Sequence, residues 1–242
     1  MNQSSKGATA EPPGEAIDWR DGGVPVSRRF DDPYFSLDDG LAETGHVFLQ
    51  GNDLPQRFRD GFHIAELGFG TGLNLLATLA LWDASEAPGR LCYSSFEAFP
   101  LAPADLAEAL AHFPDFDRWA APLLAAWTQG KQRFDLGPAQ VEIIPGDARA
   151  SLPAWTGRAD AWYLDGFSPA KNPELWQDDL LAEVAAHTAP GGSFATYTAA
   201  GHVRRALEAA GFDVARVPGY GRKRHMSRGR LRATDKAAKG AR

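Results

Sequence analysis

The 242-residue chain carries one cysteine, Cys92, and two methionines. A single cysteine excludes an intrachain disulfide and a cysteine-built zinc site. Its six histidines, His46, His63, His112, His187, His202 and His225, are scattered without ligand spacing, so no metal site is expected. No apolar run approaches the roughly eighteen residues of a membrane-spanning helix. Residues 1–16 are polar, include Pro12-Pro13 and lack the apolar core of a secretory leader. The expectation is a soluble cytoplasmic protein without a membrane partner. With 44% hydrophobic residues the chain has ample material for one α/β domain plus an appendage.

The stretch that organises the chain is His63-Ile-Ala-Glu-Leu-Gly-Phe-Gly-Thr-Gly-Leu-Asn74. It opens as an apolar run, passes three alternate glycines and continues into Leu75-Leu-Ala-Thr-Leu-Ala-Leu-Trp82. That pattern is a buried strand, a tight loop and a helix. Glycines allow close backbone approach to a ligand, and a helix start offers unpaired N–H groups. The spacing Gly68-x-Gly70-x-Gly72 is not the G-x-G-x-x-G of dinucleotide binding. Alone, the loop indicates a nucleotide-like cofactor or merely a turn.

Upstream, Asp21-Gly22-Gly23 predicts a hairpin turn, Asp31 to Ser36 an irregular aromatic loop, and Gly40 to Leu49 a short helix. Downstream, strands are expected at Leu91–Phe99, Ala139–Ile144, Ala159–Asp165 and Gly192–Thr198. Helices are expected from Pro103, over Phe116–Trp127, over Leu175–Thr188 and over Val203–Ala210. Phe212–Val217 and Arg224–Leu231 form a candidate closing antiparallel pair. This alternation predicts a mainly parallel, doubly wound sheet, with ligands at the C-terminal strand ends.

Acids stand at three of those ends: Glu97, Asp147 and Asp165. A carboxylate about twenty-five residues past the glycines can accept ribose hydroxyls. Asp147, with the Ala148 N–H beside it, stands where a base edge would lie, and Asp165 lies nearest the pocket mouth. Three acids in one pocket suit hydroxyls, an adenine and a positive centre, the features of S-adenosylmethionine. NAD would bring a pyrophosphate, which a helix N-terminus also accepts, but the glycine spacing favours the methyl donor.

Charge is uneven. From Arg204 to Arg242 twelve Lys or Arg stand against three Asp or Glu, while the whole chain has net charge −6. The cluster Arg222-Lys223-Arg224 is a candidate polyanion contact, whereas Arg232 to Arg242 reads as a solubilising tail.

Five separated stretches then carry a resemblance. They are Gly23-Val-Pro-Val-Ser-Arg-Arg-Phe-Asp-Asp-Pro-Tyr-Phe-Ser36, Glu66-Leu-Gly-Phe-Gly-Thr-Gly-Leu-Asn74, Ser95-Phe-Glu-Ala-Phe-Pro100, Asp160-Ala-Trp-Tyr-Leu-Asp-Gly-Phe-Ser-Pro-Ala-Lys-Asn-Pro173 and Gly219-Tyr-Gly-Arg-Lys-Arg-His-Met226. In this order they resemble the methyltransferase domain of the bacterial bifunctional family that makes 5-methylaminomethyl-2-thiouridine at the tRNA wobble position. The chain departs from the family pattern at Ala98, where Lys is usual, and at Ser168, where Ala is usual.

The resemblance implies a Rossmann-like class I S-adenosylmethionine-dependent methyltransferase with an antiparallel closing strand and a small N-terminal cap. The expected division is a disordered tail over 1–15, the cap over 16–61, the methyltransferase domain over 62–232 and a basic disordered tail over 233–242. No flavin-dependent oxidase fits the length, so a stand-alone enzyme is expected, acting on 5-aminomethyl-(2-thio)uridine supplied by a separate oxidase or by upstream wobble-uridine enzymes. Gly68, Gly70 and Gly72, with Phe69, are implied at the methionine portion of the donor, Glu97 at the ribose, and Asp147 with Ala148 at the adenine, with Glu66 and Asn74 also among the cofactor-binding residues. Asp165 is the candidate catalytic residue and also touches the donor. It either orients the amine or takes its proton; a carboxylate raises a neighbouring amine's pKa, which the sulfonium and burial oppose. Substrate candidates are Tyr34, Phe167, Lys171 and Asn172 near the base, with Tyr220 a further aromatic, and Arg222, Lys223 and Arg224, with Arg28 and Arg29, on anticodon-stem phosphates. Lys171 reads equally as a solvated loop residue. Competing readings are a methyltransferase of the same fold acting on a protein or small-molecule amine, a non-catalytic RNA-binding module and, weakest, a dehydrogenase.

Overall fold

The computed structural model describes residues 15–20, 23–35 and 39–233. Apart from Glu15 and Ala233, the two expected tails lie outside these residues, as do Asp21, Gly22 and Ser36 of the expected turn and loop.

The described residues begin with strands β1 (Ile17–Arg20), β2 (Val24–Ser27) and β3 (Asp32–Pro33), a small antiparallel sheet in that order. The first pair is the expected hairpin. The loop over Asp31–Ser36 is not wholly irregular, because Asp32 and Pro33 pair with Ser27 and Val26. Helix α1 (Gly40–Thr44) starts at Asp39, whose side chain accepts the Ala42 N–H at 2.8 Å. It widens into a π turn over Gly45–Leu49 that buries Val47, Phe48 and Leu49, then tightens to a 3₁₀ turn over Gln50–Asn52.

The remaining elements alternate: β4 (Phe62–Leu67), α2 (Leu73–Ala84), β5 (Leu91–Glu97), α3 (Pro103–Leu110), α4 (Asp117–Thr128), β6 (Arg133–Leu136), β7 (Ala139–Pro145), α5 (Ala148–Ser151), β8 (Ala159–Leu164), α6 (Asp178–Ala186), β9 (Thr188–Thr196), α7 (Gly201–Ala210), β10 (Phe212–Pro218) and β11 (His225–Leu231). Eight strands form one sheet in the order β10-β11-β9-β8-β4-β5-β7-β6. The five central strands are parallel, β11 and the outer β6 run antiparallel to them, and β10 pairs antiparallel with β11. Residues 212–231 are thus the closing antiparallel pair.

Period-two alternation sorts the core into two layers. Phe62, Ile64, Tyr93, Ala161 and Tyr163 pack on one face with Leu75, Leu76 and Leu79 of α2. Ala65, Leu67, Phe96, Trp162 and Leu164 pack on the other with Leu180, Leu181, Val203 and Leu207 of α6 and α7.

Two expectations require correction. Strand β6 was not anticipated: only Leu136 of its four residues is buried, so it has no apolar run to announce it, and it pairs through a turn at Gly137, φ +56°. The expected helix over Leu175–Thr188 is split. A 3₁₀ turn covers Pro173–Trp176, Gln177 is extended at ψ 150°, and α6 ends at Ala186, so Thr188 already pairs with Ala159.

From β4 the chain winds outward to β5 and β7, then returns to β8 on the other side of β4 and moves on to β9. The strand order therefore reverses between β4 and β8, the place in such sheets where a crevice opens at the C-terminal ends.

Candidate cofactor and substrate cavity

A cavity of about 870 Å³ lies at that reversal. A residue within two positions of each parallel strand's end reaches it: Gly68 after β4, Glu97 ending β5, Asp147 two past β7, Asp165 after β8 and Tyr197 after β9. Residues of the N-terminal sheet and α1, including Tyr34 and Glu43, supply the opposite wall.

The glycine loop is held by Glu97. One carboxylate oxygen accepts the Gly70 N–H at 2.9 Å and the other accepts the Phe99 N–H at 2.6 Å. Burial pushes the Glu97 pKa up, and these N–H groups oppose that rise. Gly68 has φ +83°, and a Cβ there would stand 3.3 Å from the Asp165 carbonyl oxygen and from Gly166 Cα. Gly70 has φ +55°, and its Cβ would meet the Tyr34 ring at 3.2 Å. Asp165 is fixed at both oxygens, Oδ1 by the Gly166 N–H and Oδ2 by Asn74 Nδ2, each at 2.8 Å. Burial lifts its pKa to about 6 against the pull of those bonds and of Lys223.

Of the residues singled out from sequence, Gly68, Phe69, Gly70, Asn74, Glu97, Asp147, Ala148, Asp165, Tyr34, Phe167, Lys171, Asn172, Arg222 and Lys223 border the cavity, as does Tyr220. Three do not. Glu66 lies behind the loop, fully buried, accepting from Asn74 Nδ2 at 2.9 Å and Ser95 Oγ at 2.7 Å. Burial raises its pKa to about 8. Gly72 caps α2 and turns toward the core, where a Cβ would meet the Phe69 ring at 2.8 Å and Leu123 at 3.2 Å. Arg224 is exposed and away from the cavity. Phe69 contributes backbone only: its ring stacks on Trp127 at 5.0 Å, so it is a core side chain and not a surface for a ligand. Asp147 is the N-cap of α5 and pairs with Arg149 at 2.6 Å, which lowers its pKa.

Phe167 stacks on Phe30 at 4.6 Å and meets the edge of Tyr34 at 5.2 Å. Lys171 is partly exposed but engaged: it binds the Asp31 carbonyl and lies 3.6 Å from Asp32, while the Ser168 N–H donates to Asp32 at 2.8 Å. The loop after β8 is thereby tied to the N-terminal sheet. Arg28 pairs with Asp18 at 2.6 Å, and Arg29 lies 4.4 Å over the Phe99 ring.

Sequence reasoning passed over Glu43, Thr44 and Tyr197, which all border the cavity. The strand-end rule applied to β9 would have found Tyr197; Glu43 and Thr44 carry no local signal. Among the described residues no group of three His, Cys, Asp or Glu could hold a metal, and no helix is long and apolar enough to cross a membrane.

Residues 114–232 match a family described as S-adenosyl-L-methionine-dependent methyltransferase. Over 214 residues the chain is 50% identical to the tRNA 5-methylaminomethyl-2-thiouridine biosynthesis bifunctional protein MnmC of Caulobacter vibrioides, covering 85% of this chain and 36% of that protein. The chain belongs to the S-adenosylmethionine-dependent methyltransferases. The protein of the same name from Chromobacterium violaceum is 48% identical over 222 residues, 87% of this chain and 34% of that one. The methyltransferase thus spans about a third of the length of the curated relatives it matches. Among solved structures it superposes on MnmC2 from Aquifex aeolicus with a TM-score of 0.71 at 26% identity, over 93% of this chain and 73% of that one.

The cavity fits the methyl donor. Gly68 and Gly70 keep a backbone-lined cradle that a Cβ would fill, and Glu97 and Asp165 face the same space with carboxylates suited to hydroxyl, amine and sulfonium groups.

Proposed function

We propose that this methyltransferase converts the primary amine of 5-aminomethyl-(2-thio)uridine, at the wobble position of tRNA, into 5-methylaminomethyl-(2-thio)uridine. The observation that carries the reading is Asp165: a carboxylate with a raised pKa, fixed at both oxygens and set between the glycine cradle and the Phe30–Phe167 stack. The 48–50% identity to tRNA-modifying relatives supports the choice of acceptor.

Bound S-adenosylmethionine supplies an electrophilic methyl group on a sulfonium. Gly68 and Gly70 would hold its amino-acid end, Glu97 its ribose hydroxyls, and Asp147 with the Ala148 N–H its adenine. The reaction is an in-line displacement, so alignment supplies much of the rate. Asp165 accepts an N–H of the amine and turns the nitrogen lone pair toward the methyl. At a pKa of about 6 it is a stronger base than an ordinary carboxylate, able to take the proton that the alkylated nitrogen sheds. The outer face of the Phe30–Phe167 stack receives the unstacked uracil, and Arg222 and Arg224, with the exposed sides of the ion-paired Lys171 and Lys223, meet backbone phosphates of the anticodon stem-loop. The setting is the cytoplasm, where flavin-dependent oxidase activity or the upstream wobble-uridine enzymes supply the aminomethyl group.

The test is mass spectrometry of wobble nucleosides from tRNA bearing 5-aminomethyl-uridine, incubated with protein and donor. The expected product is the methylaminomethyl nucleoside. Its absence sinks the acceptor assignment while leaving the methyltransferase family untouched. Asp165→Ala is expected to bind the donor and lose transfer.

A further inference from the structure

Asn74, the second residue of α2, joins three groups through one amide. Its Nδ2 donates to Glu66 Oε1 at 2.9 Å and to Asp165 Oδ2 at 2.8 Å, and its Oδ1 accepts from Thr44 Oγ1 at 2.9 Å. Asn74, Glu66 and Thr44 are all buried. A terminal amide has nearly the same shape either way round, so its partners decide its orientation. Two carboxyl groups on one side call for N–H donors. On the other side Thr44 supplies a hydroxyl proton for the amide oxygen. Thr44 belongs to α1, so the wall facing the sheet, and not the sheet itself, provides this third contact.

We propose that Thr44 is a positioning residue for methyl transfer: by donating to Asn74 it keeps both amide N–H groups on Glu66 and Asp165 and so fixes the Asp165 carboxylate toward the amine. This rests on the role given above to Asp165. Without the hydroxyl, the amide oxygen is a buried acceptor with no donor, and the bond to Asp165 loses its constraint. The Gly166 N–H alone then leaves the carboxylate free to turn about Cβ–Cγ. A misplaced orienting group costs rate even when the ligands still bind.

The experiment compares Thr44→Val, which keeps the shape and removes the hydroxyl, with Thr44→Ser, which keeps the hydroxyl and loses a methyl. Thr44→Val is expected to lower kcat about tenfold with little change in KM for S-adenosylmethionine, and Thr44→Ser to stay within about twofold of wild type. A packing role predicts the reverse ranking, because valine fills the space and serine leaves a gap. Wild-type kcat in Thr44→Val, or no advantage of serine over valine, overturns the proposal. Asn74→Asp keeps an acceptor for Thr44 but removes both N–H donors, so its kcat must fall at least as far as that of Thr44→Val. Wild-type turnover there also overturns it and covers the case in which Thr44→Val does not fold. Asp165→Asn separates the two levels: wild-type turnover in that variant removes the Asp165 reading and the Thr44 role with it, whereas a normal Asp165 dependence with an unaffected Thr44→Val removes the Thr44 role alone.

Discussion

The ammonium of Lys223 lies 2.6 Å from Glu43 Oε1, joining the turn after β10 to helix α1 across the cavity. The same ammonium stands 4.1 Å above the Tyr197 ring, and the Tyr197 hydroxyl donates to the Gly166 carbonyl oxygen at 2.8 Å. The C-terminal basic turn, the N-terminal wall and the loop after Asp165 therefore meet through one ion pair and one ring.

That pair is unevenly exposed: the Glu43 side chain is 12% accessible and that of Lys223 45%. Water screens the lysine, which limits what the pair contributes, but removing the lysine strands a nearly buried carboxylate. Lys223→Met is expected to lower stability by about 1 kcal/mol, and adding Glu43→Gln to recover much of that loss. Urea denaturation of the two single variants and the double variant closes the cycle. Simple additivity would mean that the pair contributes nothing to the fold.

Glu66 predicts a pH dependence of stability. Its pKa rises from an ordinary value near 4.5 to about 8 on folding, chiefly through burial. Between those values the folded chain holds more protons than the unfolded one, so this group's contribution falls as pH rises through the window. Glu66→Gln, neutral throughout, lacks that slope. Denaturation at pH 5 and pH 8.5 is expected to show the variant gaining on wild type by more than about 1 kcal/mol at the higher pH. Parallel curves for the two proteins would mean that Glu66 is ionised in its buried setting.

Gly68 tests the cradle. At φ +83° any side chain is strained, and a Cβ would press on the Asp165 carbonyl and Gly166 Cα. Gly68→Ala is expected to weaken S-adenosylmethionine binding at least about tenfold by calorimetry, from backbone strain and lost space together. An unchanged Kd would place the donor elsewhere in the cavity.

Much of the sheet and the ligand end of each strand could be read from the sequence because those signals are local. The apolar run into Gly68 and the turn at Gly211, φ +115°, depend only on neighbouring residues. Glu97 and Asp165 could be found because strand ends in a doubly wound sheet point into one crevice. Side-chain direction was less accessible. Phe69 sits amid the glycines yet turns onto Trp127, and Glu66 belongs to the motif but faces α2, on the same side of β4 as Ile64. Asp147 could be placed at a strand end, but its ion pair with Arg149, two residues away, was not legible there. Thr44 and Glu43 were out of reach altogether, since their partners Asn74 and Lys223 lie 30 and 180 positions away and no periodicity links such distances.

The tie between the loop after β8 and the N-terminal sheet bears on the order in which the molecule can be completed during synthesis. Asp32 and Asp31 leave the ribosome well before Ser168 and Lys171, which stand 136 and 140 positions further along the chain. Strands β1 to β3 must therefore wait for part of the surface they close upon until the middle of the parallel sheet has been made. The wall that carries Tyr34 also rests on Gly70 and Phe99, but its ties to Ser168 and Lys171 await the loop after β8, so a chain halted before that strand has a glycine loop but an unfinished chamber.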